Sequence, residues 1–319
     1  MAREESELGK VSELANEAFR KKLQDIVKKP VLFDVPMKKH TTWKVGGPAD
    51  CIVFPSSIEE VEAIVTFLNE QSIKYTVIGN GSNLLVADAG IRGVVIKMGE
   101  AFSACQWHDN EAIVEAGMLL PSLALEAAER SLGGLEFAAG IPGSLGGAVR
   151  MNAGAYGGTI GDYVTKVEAV EYNTGRRLVL TDEQLSFAYR ESSLFHLQAI
   201  ICRIHLRLPY GNRDASMEKI KELLNLRSLK QPLEFPSCGS VFRNPKNDHA
   251  GRLIEMANLR GLQIGGAMVS KKHGNFIINL GGAKAKDIRA LIIAVQNRVE
   301  ALTGIRLEME VKLLGDFSD

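Results

Sequence analysis

Apolar residues recur at helical spacing over residues 7–29. Leu8, Val11, Leu14, Ala15, Ala18, Phe19, Leu23, Ile26 and Val27 are separated there by charged positions. The pattern predicts an N-terminal helix packed on the body of the protein. Residues 31–39, containing Pro36, read as a linker or edge segment. Beyond Thr41 the period shortens. Residues 50–54 form an apolar strand stopped by Pro55. Ser56 or Ser57, followed by Glu59 and Glu60, marks a helix N-terminus, and that helix runs to about Gln71. Residues 75–78 and 93–97 then complete a βαβ-like unit whose strands suit a helix-covered sheet.

A second block opens with the strand at residues 112–117. It continues with a helix over 119–132 that begins at Pro121 and stops at Gly133-Gly134. Strands follow at 164–172, 177–180 and 200–208, and Pro209-Tyr210-Gly211-Asn212 marks a boundary. The third block contains a helix at 216–229, a long loop at 232–245, a short helix at 251–258 and a strand at 275–280. A helix over 285–303 has Ile288, Leu291, Ile292, Val295, Val299 and Leu302 on one face, and a strand at 304–314 closes the chain. No internal repeat or low-complexity tract interrupts this order.

Two glycine clusters stand out against the pattern. Residues 140–158 contain seven glycines and Pro142, and Gly79-Asn80-Gly81-Ser82-Asn83 directly follows the apolar run at 75–78. Glycine lets a backbone adopt positive φ and approach a ligand closely. Two such loops, with Ser82, Asn83, Ser144 and Asn152 adding polar groups, point to a phosphate-containing ligand gripped by backbone N–H groups from both sides. The dinucleotide fingerprint GxGxxG fails, because Leu84 stands where the third glycine would pack helix on strand. The Walker pattern is absent as well. The ligand is therefore a phosphate-bearing cofactor on some other fold, and paired tight turns are the structural alternative.

Composition narrows the picture further. The 319 residues suffice for two or three domains, and the formal net charge of +0 gives no bulk attraction to nucleic acid or an anionic membrane. No apolar run reaches the length of a membrane span, and residues 1–7 lack the apolar core of a secretory signal. Cys51, Cys105, Cys202 and Cys238 form no CxxC pair, so buried free thiols in a reducing cytoplasm are expected. The six histidines show no metal-ligand spacing, and no metal site is expected.

Seven ordered motifs carry a resemblance. They are the stretches 41–50 (TTWKVGGPAD), 79–85 (GNGSNLL), 134–144 (GLEFAAGIPGS), 151–157 (MNAGAYG), 189–193 (YRESS), 239–245 (GSVFRNP) and 308–311 (EMEV). Together they resemble the bacterial UDP-N-acetylenolpyruvoylglucosamine reductases, the MurB family, from about Thr41 to Gly315. No room exists between Tyr172 and Pro209 for the long loop of the larger subclass, so the shorter, second subclass is the one resembled. The resemblance implies an α+β protein with a two-subdomain FAD-binding fold of the vanillyl-alcohol-oxidase (PCMH) type and a C-terminal α/β substrate-binding domain. The implied divisions are an extension at 1–29, FAD-binding subdomains at 30–97 and 98–212, a substrate domain at 213–303 and a returning strand at 304–319.

The resemblance also implies the chemistry. FAD is tightly bound, NADPH is the reductant, and the enolpyruvyl ether of UDP-N-acetylglucosamine enolpyruvate is reduced to UDP-N-acetylmuramate. A hydride passes from flavin N5, and a proton must reach the α-carbon. Arg190 is the candidate electrophile, since a guanidinium binds a carboxylate through two parallel hydrogen bonds. Glu310, held protonated by burial, is the candidate donor to the developing enolate. The alternative is that Glu308 and Glu310 share a solvent-facing side of a strand. Ser240 is the candidate proton donor, otherwise an ordinary loop serine. Tyr189, Asn244 and His273 match substrate-binding positions, and Lys271-Lys272 read as a solvated pair. Gly79, Asn80, Gly81, Ser82 and Asn83 would meet the pyrophosphate, with Gly140, Gly143, Ser144 and Gly147 approaching from the other side. Asn152, Ala153 and Gly154 would run near the isoalloxazine. Tyr156 would either stack nearby or pack in the core.

Overall fold

The computed structural model describes residues 16–318. In chain order it begins with α1 (Glu17–Ile26), β1 (Leu32–Pro36), β2 (Pro48–Val53), α2 (Ile58–Glu70), β3 (Tyr75–Ile78), β4 (Leu84–Val86) and β5 (Ile91–Lys97). Next come β6 (Cys105–His108), β7 (Glu111–Glu115), α3 (Leu120–Glu129), α4 (Leu145–Arg150), β8 (Gly154–Ala155) and β9 (Gly158–Thr159). Strands β10 (Val164–Glu171), β11 (Arg177–Thr181), β12 (Phe187–Ala188), β13 (Glu191–Ser192) and β14 (Ala199–Arg207) lead into α5 (Arg213–Lys230). The chain ends with α6 (Ala250–Met256), β15 (Gln263–Ile264), β16 (Ala267–Val269), β17 (Ile277–Asn279), α7 (Ala285–Thr303) and β18 (Lys312–Leu314).

These elements form two compact units, each assembled from separated segments. The first comprises the described residues up to Phe33 together with 50–80 and 92–225; the second comprises 34–49, 81–91 and 226 onward. The first unit holds most of a four-stranded sheet, β1-β2-β5-β3, in which β3 and β5 run parallel. It also holds a five-stranded antiparallel sheet, β11-β10-β14-β7-β6. Helix α2 starts where Ser57 accepts from the Glu60 amide at 3.2 Å, and it buries Ile58, Val61, Ile64, Val65 and Leu68. Glu60 is nearly enclosed, and its carboxylate accepts from the amide and hydroxyl of Ser56 at 2.7 and 2.8 Å. Helix α1 docks through Phe19 and Leu23, with Phe19 stacked on Phe67 at 5.2 Å between ring centroids. The predicted helix extends further, but residues 7–15 lie outside the described residues.

The second unit is built on α7 and the three-stranded sheet β15-β16-β17. Ile288, Leu291, Ile292, Val295 and Val299 form the buried stripe of α7, and Gly304 ends it in the left-handed region at φ 72°. The α7 N-terminus is capped from a distant loop: the Asp88 carboxylate accepts from the amides of Ala285 and Lys286 at 2.9 and 3.0 Å. Trp43 is fully buried in this core; its indole donates to the Ile277 carbonyl at 2.7 Å, and its own carbonyl accepts from Asn279 at 3.0 Å.

Three sequence expectations change. The strand expected over 304–314 shrinks to β18, which pairs in parallel with β4; residues 308–310 are held by loop hydrogen bonds, with only a single bridge from Met309 to Phe242. The glycine run at 140–158, read as a loop, contains α4. Gly146 serves packing there, since a Cβ on it would lie 2.7 Å from the Cβ of Ala116. Tertiary fit thus overrides the poor helix propensity of glycine. Of the four cysteines, all free, Cys105 is half-buried and the other three are buried.

Candidate active site

In the first unit the two glycine loops meet. The Asn80 side-chain amide donates to the Pro142 carbonyl at 2.7 Å, and a Cβ on Gly79 would fall 2.1 Å from the Ser144 hydroxyl oxygen. The Gly143 carbonyl accepts from Leu120, and the amides of Leu145 and Gly146 are taken by the carbonyls of Met118 and Ala116. These bonds fix the 143–146 backbone against the start of α3. A cavity of about 710 Å³ opens beside the junction, lined by residues 75–79, by Ser144, Gly147 and Arg150, and by the start of β14. The Arg150 guanidinium lies on its wall and donates to the Phe195 carbonyl at 2.9 Å.

Arg190 occupies the two-residue turn joining β12 to β13, with φ 55°. A bulky residue in the left-handed region is strained, and such strain persists only where surrounding bonds enforce it. The enforcing bonds are present. Asn152 is buried, donates to the Ala188 carbonyl at 2.9 Å and accepts from the Gly161 amide at 3.0 Å. Ser192 donates to the Arg150 carbonyl at 2.6 Å. The guanidinium itself donates to the Gly154 carbonyl at 2.9 Å and lies 5.2 Å from the Tyr189 ring centroid. The side chain of Asn152, expected beside a cofactor, is thus engaged in holding the Arg190 hairpin. Ala153 also spends its backbone groups internally, on Ala148 and Ile160. Tyr156 and Gly157 form the β8–β9 turn, both at positive φ, and Tyr156 is 47% exposed, which removes the core-packing alternative.

In the second unit the loop bearing Ser240 is zipped to the tail bearing Glu310. The Glu310 amide donates to the Val241 carbonyl at 2.8 Å, and the Arg243 amide donates to the Glu308 carbonyl at 2.8 Å. Val241 and Phe242 are buried anchors, and Asn275 brackets Phe242 by accepting from its amide and donating to its carbonyl. Gly239, at φ 81°, turns the chain immediately before Ser240. The alternative reading, a solvent-facing side of a strand shared by Glu308 and Glu310, is not formed: Glu308 is exposed, whereas Glu310 is half-buried. Full sequestration of Glu310, the expected source of its protonation, is not seen either. The Glu310 carbonyl accepts from the Asn83 side chain at 3.0 Å, and Gly81 turns at φ 69° close to the His40 carbonyl.

A second cavity of about 340 Å³ is lined by Ser240, Asn244, Arg252, Arg260, Lys272 and His273 among others. Asn244 accepts from the Ala250 amide at 3.1 Å. His273 packs edge-on to Phe276, and its Nδ1 accepts from the Asn275 amide at 3.2 Å, which leaves the proton on Nε2. Burial, reinforced by the Arg260 charge, lowers its pKa from the ordinary 6.5, so the neutral donor form is favoured.

The family model for the C-terminal domain of UDP-N-acetylenolpyruvoylglucosamine reductase matches residues 231–314, and that for an FAD-binding domain matches residues 49–181. A UDP-N-acetylenolpyruvoylglucosamine reductase of Heliobacterium modesticaldum is 49% identical over 88% of this chain and 90% of its own length. The corresponding reductase of Desulforamulus reducens is 46% identical over 92% of this chain and 97% of its own. The chain belongs to the UDP-N-acetylenolpyruvoylglucosamine reductase family. The crystal structure of the Thermus caldophilus reductase superposes with a TM-score of 0.76 at 38% identity, covering 89% of this chain and 98% of that one.

As a member of this reductase family the chain combines an α+β FAD-binding body with a family-specific C-terminal domain. The residues present fit the cofactor. The larger cavity has the volume of a cofactor site, an aliphatic wall from Ile73, Ile200 and Ile201, and the polar Gly79–Ser144 junction at its edge. The nearest atom to a Cβ on Gly147 would be the Ser144 hydroxyl at 3.6 Å, which leaves room for a ligand to approach that backbone. Arg150, Arg252 and Arg260 were not singled out from sequence. Each is one arginine among ordinary helix or turn residues, and only the fold turns it toward a cavity. Buried beside Ser240, the Cys238 thiol is pushed well above its usual pKa by desolvation first and by the Glu310 charge second. It is therefore an inert thiol.

Proposed function

We propose that Arg190, Ser240 and Glu310 carry the reduction of UDP-N-acetylglucosamine enolpyruvate to UDP-N-acetylmuramate by this chain, with NADPH as reductant. FAD, when bound, supplies the hydride chemistry between NADPH and the enolpyruvyl β-carbon. Arg190 receives the substrate carboxylate, on which negative charge builds as the β-carbon is reduced, and its permanent charge stabilises that build-up. The Glu310 carboxyl group hydrogen-bonds to the same developing enolate. Ser240 passes its hydroxyl proton to the α-carbon and is reprotonated from water.

Asn244 and the Nε2–H of His273, in the cavity that also contains Ser240, serve the nucleotide portion of the substrate, and Tyr189 lies beside Arg190 as a substrate contact. The junction at Gly79, Asn80, Gly143 and Ser144 supports the cofactor diphosphate, with Gly81, Ser82, Asn83, Gly140, Gly147 and Gly154 as further contacts. On this reading the FAD-binding subdomains span 30–97 and 98–212, the substrate domain spans 213–303, and 304–319 returns to the body. The enzyme works in the cytoplasm without a nucleic-acid partner. Its free thiols suit a reducing compartment, and among the described residues no helix is long and apolar enough to cross a membrane.

The observation that carries the assignment is the Glu310–Val241 backbone bond, which ties the backbone of Glu310 to the loop of Ser240. Stopped-flow measurement of the two half-reactions tests it. Ser240→Ala should leave flavin reduction by NADPH intact and slow reoxidation by substrate by about 10²–10⁴-fold. An equal loss in both half-reactions would remove Ser240 from the proton-donor role.

A further inference from the structure

Lys97 closes β5 and lies opposite Ile78 in the parallel pairing with β3. The residue is half-buried. The ammonium reaches the Gly79 carbonyl at 3.4 Å, at the long limit of a hydrogen bond, and no ion pair among the described residues offsets it. Desolvation lowers its pKa, with no opposing contribution from a nearby carboxylate. A partly desolvated cation with one weak bond to a carbonyl gains from an anion that joins it.

The position supplies the reason. Gly79 and Met98, the neighbours of Ile78 and Lys97 along their strands, both line the larger cavity. Gly79 is also where the chain leaves β3 and meets the 142–144 turn through the Asn80–Pro142 bond. Backbone amides at such a turn attract phosphate oxygens but carry only partial charges. A full positive charge beside them would complete the site electrostatically, and in low dielectric its pairing with an anion is strong.

We propose that Lys97 is the cationic partner of the FAD diphosphate. The assignment rests on FAD binding by this family member and adds a residue that no glycine motif contains. Its ligand is the dianionic diphosphate, and the isoalloxazine gains nothing directly from it.

The experiment compares FAD and riboflavin binding to the full chain, stripped of flavin and followed by quenching of flavin fluorescence. Lys97→Met should weaken FAD at least about tenfold at low salt and leave riboflavin, which has no phosphate, within about twofold. Lys97→Arg should recover most of the FAD affinity. The loss of FAD affinity between about 0.05 and about 0.5 M KCl should be shallower in Lys97→Met than in the wild type. The flavin-free Lys97→Met chain should also melt at a higher temperature than flavin-free wild type, a gain that a purely structural lysine would not give. Unchanged FAD affinity, or equal loss of FAD and riboflavin, would overturn the assignment. If Lys97→Met does not fold, Lys97→Gln provides the same comparison. A wild-type chain that bound neither flavin would instead overturn the cofactor reading itself.

Discussion

The buried side chain of Asn152 spans two turns, donating to Ala188 and accepting from Gly161, and so holds the hairpin that presents Arg190. Its own backbone sits at φ 45°, a conformation that asparagine tolerates better than most residues. Asn152→Ala removes both bonds, takes that partner from the Ala188 carbonyl and the Gly161 amide, and adds left-handed strain. The expected cost is about 2–5 kcal/mol of unfolding free energy. Asn152→Gly removes the same bonds without the strain and should cost less. Urea denaturation of the three proteins checks the order. The kcat of Asn152→Gly should also fall, because the Arg190 turn loses its support.

The elements were readable wherever a single periodicity dominated. The buried stripe of α7, the Ser57 cap of α2 and the apolar run of β3 each announce themselves within a short window. What escaped the sequence depends on distant neighbours. Helix α4 exists because Gly146 permits close approach to Ala116, a contact about thirty positions away. Residues 308–310 are held by Val241 and Phe242, so their extended pattern produced loop bonds and one bridge in place of a strand. Composition marked both glycine clusters as unusual, but it could not say that Asn80 reaches Pro142, nor that the polar groups of Asn152 face inward. Lys97 gave no signal at all, because a lysine at a strand end is ordinary until its surroundings are known.

Stability should depend on His273 with a definite sign. Its folded pKa lies below the ordinary 6.5, so the unfolded chain binds the proton more readily. Above that ordinary value both states are neutral and the contribution is fully present. As pH falls below 6.5 it is progressively lost, until the pH passes the lowered folded value. Urea midpoints measured through this acid window should fall more steeply for the wild type than for His273→Gln. Parallel curves would mean that the ring titrates alike in both states.

The capping of α7 by Asp88 is a second stability test. Its carboxylate satisfies two amides that the helix cannot satisfy itself, across almost two hundred residues of sequence. Asp88→Ala should cost about 1–2 kcal/mol, and Asp88→Asn, which keeps one acceptor, about half of that. Since α7 forms the core of the second unit, the loss should appear as earlier unfolding in denaturant. Flavin absorbance per folded chain should stay unchanged, because Asp88 is not among the residues assigned to the cofactor.

Gly79 and Ser144 offer a coupled test of the junction between the two glycine loops. A Cβ at position 79 would stand 2.1 Å from the Ser144 hydroxyl oxygen but 3.3 Å from its Cβ. Gly79→Ala alone must therefore displace a nearly fully buried hydroxyl, at about 1–3 kcal/mol, and should lower the flavin content of the purified protein. Removing the hydroxyl as well, in Gly79→Ala with Ser144→Ala, leaves a contact only a few tenths of an ångström too tight. The double variant should then be more stable than the sum of the two single changes, with a coupling of about 0.5–3 kcal/mol. Thermal unfolding of the four proteins gives the cycle, and simple additivity would show that the loops move apart when Gly79 is changed. If the double variant regains its fold but not its flavin, the Ser144 hydroxyl itself contributes to holding the cofactor, beyond its place in the packing.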